Sequence, residues 1–164
     1  MLGLALTVLL GCARAVEPAR DPDQDPHMLV AFGGVIQVLD DDPEALYGLE
    51  YRPPWRWHGL GPWLSVGGGE AAGFYSAMGL FYDFRLGAHW RLTPSFGLGY
   101  FRDGEFELGH NLEFRSGIEF TRRFRGGLRI GVAFAHISNG SIGDINPGTE
   151  SACAVLAIPL GRQN

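Results

Sequence analysis

Near the end of the chain, Ala135-His136-Ile137-Ser138-Asn139 places an imidazole and a hydroxyl two positions apart. In an extended strand, residues i and i+2 project from one face, so His136 and Ser138 would stand side by side. A serine hydroxyl attacks a carbonyl only when a base takes its proton, and a carboxylate that fixes the imidazole tautomer and stabilises the imidazolium completes the arrangement. Glu150 supplies that carboxylate if the chain doubles back, and Gly140, Gly143 and Pro147-Gly148 in the bend between them are turn residues. Ser138, His136 and Glu150 are thus the nucleophile, base and orienting acid that acyl transfer requires. The backbone N–H groups of Asn139, Gly140 and Ser141 are candidates for holding the oxyanion, and Asn146 either joins them or braces the loop. Turn formation alone would account for both asparagines, and Pro147-Gly148 reads as a plain turn. This chemistry needs neither a metal nor another cofactor. Taken alone, a His-x-Ser pair on a strand is also what an ordinary polar surface contact looks like.

The longer string is more specific. His136-Ile137-Ser138-Asn139, followed by Asn146-Pro147-Gly148 and Glu150, resembles the signature of the outer-membrane lipid A 3-O-deacylases, the PagL family. The resemblance implies base, nucleophile and acid roles for His136, Ser138 and Glu150, and it counts Asn139 and Asn146 in the signature. It implies an all-β fold, an eight-stranded antiparallel transmembrane β-barrel in the bacterial outer membrane. The implied reaction is hydrolysis of the acyl ester at the 3 position of lipid A, within lipopolysaccharide of the outer leaflet.

The elements that must position these residues can be read independently. Alternation and turn residues predict strands at about 28–39, 45–52, 63–71, 74–86, 90–101, 108–121, 127–138 and 151–160. In 74–86, Phe74, Met78, Leu80, Tyr82, Phe84 and Leu86 share a face, with Tyr75, Ala77, Gly79, Asp83 and Arg85 on the other. In 108–121, Leu108, Leu112, Phe114, Ile118 and Phe120 alternate with Asn111, Glu113, Arg115, Glu119 and Thr121. Segments of about ten residues with one bulky apolar face and one small or charged face are the signature of a membrane barrel. A soluble sandwich or lipocalin-like barrel has the same period, but these strands are long, and Trp and Tyr recur near their ends, as at a membrane interface. His136 and Ser138 fall in line with Leu128, Ile130, Val132 and Phe134, so the barrel reading points them outward to lipid. Glu113, Arg115 and Glu119 then pair inside the lumen. With a periplasmic N-terminus, an even strand count puts the bend between the last two strands on the outer side.

Composition agrees with this and narrows the alternatives. At 164 residues the chain is one domain by length, with 46% hydrophobic residues, 25 glycines, 12% aromatics and no lysine, which suits strands better than a helical bundle. The net charge is −5 and no basic stretch is interleaved with aromatics, which argues against nucleic acid as a partner; Arg122, Arg123 and Arg125 read as a solvated hairpin end, with contact to acidic lipid headgroups as the functional alternative. Residues 1–15 read as a signal peptide cut after Ala13-Arg14-Ala15, in competition with a lipoprotein box ending at Cys12, and no basic residue precedes the apolar run. Residues 16–27 form a periplasmic lead-in and 28–164 the barrel. Cys12 and Cys153 are the two cysteines, so loss of Cys12 with the signal leaves Cys153 alone. The acidic run Asp40-Asp41-Asp42 lacks the spacing of a calcium loop, and the chain ends Leu160-Gly161-Arg162-Gln163-Asn164 without a terminal aromatic. The sequence leaves the oligomeric state open between monomer and homodimer. Two other functions share the pattern: a non-catalytic outer-membrane barrel with a structural or adhesive role, and a soluble exported barrel that binds an apolar ligand.

Overall fold

The computed structural model of the chain describes residues 26–161 except 71, 103 and 106. The expected signal peptide with Cys12, the lead-in as far as residue 25 and the last three residues of the chain lie outside the described residues. Nine strands form the molecule: β1 (His27–Ile36), β2 (Glu44–Arg52), β3 (Leu60–Gly69), β4 (Gly73–Tyr82), β5 (Phe84–Leu86), β6 (Trp90–Arg102), β7 (Leu112–Arg123), β8 (Arg129–Ser138) and β9 (Thr149–Leu160). Their order is β4-β3-β2-β1-β9-β8-β7-β6-β5, and β4 also pairs with β6, so the sheet closes on itself. β4 and β5 are one stave. Phe81 pairs with Ser95 and Phe84 with Leu92 in a single register, and the ladder lapses between them, where Pro94 has no N–H to donate. All neighbours are antiparallel, giving a closed all-β barrel of eight staves.

The barrel is inside out relative to a soluble one. Its outer wall carries exposed Leu49, Leu64, Met78, Phe96, Leu98, Ile118, Val132 and Phe134, while Glu50, Arg52, Glu113, Glu119, Thr121 and Arg129 are buried in the lumen. A wall of this kind is stable only against hydrocarbon, and closure leaves no unpaired strand edge there. Among the described residues no helix is long and apolar enough to cross a membrane. Inside, Arg52 donates to Glu50 (2.7 Å) and to Glu119 (2.6 Å), and Arg129 makes two 3.1 Å bonds to Asp83. The charges of β7 therefore pair across the lumen, Glu119 with Arg52 and Arg115 with Glu50 at 3.9 Å, using partners from β2. The space bounded by Glu50, Arg52, Arg115 and Glu119 is about 30 Å³, too small for an acyl chain.

Toward the end carrying the long loops, the lumen becomes apolar. Ile36, Leu46, Phe101, Leu108 and Ile137 pack together there and back the last turn of β8 against the opposite wall. Several strand limits differ from expectation, β3 starting at Leu60 and β8 at Arg129 among them. β1 stops at Ile36 and Leu39 is exposed in the loop. β7 begins at Leu112 because Leu108 leaves the strand to fill this apolar plug, where its carbonyl receives a bond from Asn139. β9 begins at Thr149, so Glu150 lies within a strand and not in the bend.

Candidate functional site

On β8 and β9, His136 is the direct cross-strand partner of Glu150. Residues paired in this way share a face, here the outer one, and the register therefore delivers the contact without any help from the loop. Nδ1 of His136 lies 2.9 Å from Oε1 of Glu150. A carboxylate only accepts, so Nδ1 is the donor in this bond and Nε2 is left for another partner. Both groups remain reachable, with side chains 46% and 24% exposed. Gly148, at φ 68°, lies against the imidazole: a Cβ there would sit 3.0 Å from Cε1. Pro147-Gly148 is thus more than a turn, since Gly148 both adopts the left-handed backbone and leaves room for the ring.

Ser138 is the next outward residue of β8 and is half-buried. Its hydroxyl makes no hydrogen bond to His136 in this structure, and such bonds are commonly loose before substrate arrives. The loop 139–148 that follows is tied down by Asn139, which is fully buried. Its amide nitrogen donates to the carbonyls of Leu108 and Ile145, both at 2.8 Å, its Oδ1 accepts from Ser141 N–H (2.9 Å), and its own N–H donates to Oδ1 of Asn146 (3.0 Å). Two of the three expected oxyanion donors, the N–H groups of Asn139 and Ser141, are therefore already spent inside the loop. The N–H of Gly140 has no internal acceptor among the described residues. Asn146 acts as a brace here, since its Oδ1 holds the start of the loop. Gly140 (φ 62°) and Ser141 (φ 66°) turn the chain tightly over the Phe114 ring.

Sequence reasoning missed Ser116. It stands directly opposite His136 on β7, exposed on the same outer face. Only the pairing register reveals it, because nothing in the local sequence of β7 marks that position. Two serines thus flank one imidazole, one along the strand and one across it.

Register also connects this site to the apolar wall. Ser138 faces Phe114, then Leu98, Met78 and Leu64 in successive strands, and His136 leads through Ser116 to Phe96, Leu80 and Pro62. Both rows run into an apolar groove of about 910 Å³ on the outer wall. Among the described residues no group of three or more His, Cys, Asp and Glu side chains comes together to hold a metal ion.

A closed barrel with an apolar exterior, a filled charged lumen and an outward His–Glu pair beside two serines is a membrane barrel whose reactive groups face lipid. The comparisons with known proteins narrow that class. The family described as lipid A 3-O-deacylase (PagL) matches residues 45–159, and the chain belongs to that family. A solved structure described as the crystal structure of the outer membrane enzyme PagL superposes with a TM-score of 0.65 at 22% identity, covering 81% of this chain and 99% of that one. No curated protein matches. The fold is shared with that structure, and the protein is a lipid A 3-O-deacylase by family.

Proposed function

We infer that the chain hydrolyses the 3-O-acyl ester of lipid A by a serine mechanism, with Ser138 as nucleophile, His136 as general base and Glu150 as its orienting acid. The single observation that carries this is the His136–Glu150 bond on the lipid-facing wall. A hydrogen-bonded polar pair has no structural use against hydrocarbon, where an unsatisfied polar group costs several kcal/mol, but it has a use where an ester arrives from the membrane. Nε2 of His136 takes the Ser138 proton as the oxygen attacks the ester carbonyl. The tetrahedral intermediate collapses, its alkoxide leaves with the proton from His136, and water then repeats the sequence on the acyl-serine.

Ser138 is preferred over Ser116 because of where donors are left free. The N–H groups beside Ser116 are consumed by the ladders to β6 and β8, so no oxyanion hole can form there without tearing the sheet. Ser138 ends its strand, and the open N–H of Gly140 follows it. Asn139, Ser141 and Asn146 are positioning residues that hold this loop.

His27, where β1 begins, and Leu160, where β9 ends, lie at the end of the barrel opposite the β6–β7 and β8–β9 connections, in keeping with long loops outside and short turns within the periplasm. On that orientation the site sits at the level of the leaflet that holds lipopolysaccharide. The signal peptide and lead-in expected for 1–27 fit the same export route. One chain carries every group named, so the mechanism does not require a homodimer. Ser138→Ala, expressed in cells and read by mass spectrometry of their lipid A, is expected to lower 3-O-deacylation by about a thousandfold or more, with the barrel still folded. Undiminished deacylation would remove Ser138 from the mechanism.

A further inference from the structure

The two rims of the barrel carry opposite charge. The loop rim displays Asp40, Asp41, Asp42, Glu70, Glu105 and Asp144, whereas the terminal rim gathers His89 and Arg125 on the turns 87–89 and 124–128 and Arg85, Arg122 and Arg123 on the strand ends beside them. The two turns are joined, since Arg123 N–H donates to the carbonyl of His89 at 2.6 Å, and a pocket of about 310 Å³ opens between them. Ala88, His89, Arg122, Arg123, Phe124 and Arg125 line it, with no carboxylate among them.

Arg122 is out of keeping with its neighbours. Leu86, Trp90, Arg122, Ile130 and Leu156 form one continuous row around the barrel, all facing outward. Four of these suit lipid, and the fifth is a guanidinium that can never be neutralised there. It lies over the Phe124 ring at 5.3 Å, beside Trp90, which stacks on Phe120 with centroids 4.8 Å apart. Stacked aromatics of this kind mark the boundary between hydrocarbon and headgroups, and a long arginine at that depth extends its charge toward the headgroup layer. A solvated hairpin end would need no such aromatic shelf.

We propose that this rim is a binding site for the phosphate of an anionic glycerophospholipid in the inner leaflet of the outer membrane. Arg122 reaches it from the hydrocarbon side and Arg125 from the turn, while Trp90 and Phe120 pack against the acyl chains. The inner-leaflet assignment rests on the orientation given above, but the binding itself does not, and neither depends on the catalytic roles.

The test uses the purified full barrel in zwitterionic detergent, titrated by native mass spectrometry with dioleoylphosphatidylglycerol, dioleoylphosphatidylcholine and inorganic phosphate in separate arms. The native protein is expected to bind the phosphatidylglycerol preferentially, Arg122→Gln and Arg125→Gln are each expected to weaken it about fivefold, and the double variant Arg122→Gln with Arg125→Gln is expected to lose the preference. Arg102→Gln, which removes an arginine from the opposite rim, is the control and should change nothing. Equal binding of both lipids, a preference that survives the double variant, or inorganic phosphate binding as tightly as the lipid would overturn the proposal. Deacylation by the Arg122 and Arg125 variants, assayed in micelles, stays intact if their role is lipid binding alone. Labelling of Arg125→Cys by a membrane-impermeant maleimide on intact cells would place this rim outside and overturn the leaflet assignment by itself.

Discussion

Arg52–Glu119 and His136–Glu150 are both hydrogen-bonded pairs of a nitrogen cation or base with a carboxylate, held on opposite sides of the same barrel wall. The lumen pair is built on a guanidinium, 2.6 Å long at its shorter bond and nearly sealed, with side chains 8% and 5% exposed. The wall pair is 2.9 Å long, reachable, and built on an imidazole that can gain or lose a proton. Arg52 engages all three of its guanidinium nitrogens with Glu50 and Glu119. His136 spends one nitrogen on Glu150 and presents the other. Similar chemistry therefore makes a strut in one place and, in the proposed mechanism, a reactive group in the other, and the difference lies in which nitrogen is left over and what medium it faces.

Breaking each pair separates the two roles. The largest effect is expected from Arg52→Met, which strands Glu119 without its main partner and should cost about 3–5 kcal/mol of stability, seen as a lower urea midpoint for the barrel in lipid vesicles. Turnover per folded molecule should hardly change, since the site is built on β8 and β9. Replacing Glu119 as well, Arg52→Met with Glu119→Leu, should recover part of that loss, because Glu119 is then gone and Glu50 keeps Arg115 at 3.9 Å. Glu150→Ala should behave in the opposite way: stability close to native, deacylation down about a hundredfold through kcat. Its effect is smaller than that of Ser138→Ala because the glutamate orients and does not react. If Glu150→Ala unfolds the barrel while Arg52→Met leaves it intact, the contrast between the two pairs is wrong.

Strand alternation carried most of the fold. The outward sets of 74–86, and of 108–121 apart from Leu108, stand where they were expected, because a period of two on a closed sheet leaves no freedom about which side a residue faces. The exceptions share a cause. Leu108 and Leu39 continue the alternation in sequence yet lie in loops, one pulled into the apolar plug and the other left outside, and local pattern does not encode what lies across the lumen. The site was legible in its residue types, but its geometry was not. That Glu150 meets His136 through strand register, that Asn139 and Ser141 have already used their N–H groups, and that Ser116 faces the imidazole all depend on pairings between strands, which spacing along one strand does not report.

The loop brace gives a smaller, sharper test. Asn139→Ala removes three hydrogen bonds made by one side chain and leaves the carbonyls of Leu108 and Ile145 without their donor. The β-strands on either side keep their ladders, so the barrel should stay folded. Deacylation should fall about tenfold as the Gly140 N–H loses its fixed place. A drop confined to KM would instead put Asn139 in substrate binding.

The smallest expected change is the most discriminating about the nucleophile. Ser116 and Ser138 both adjoin His136, and distance along the wall does not choose between them. What chooses is the supply of unused N–H groups, nil in the middle of β7 and open at the end of β8. Ser116→Ala should then leave deacylation within about threefold of native, as a substitution on a lipid-facing wall that removes no needed bond. If Ser116→Ala abolishes the reaction and Ser138→Ala does not, the attacking oxygen comes from across the strand, and the oxyanion must be held by something other than the loop that follows β8.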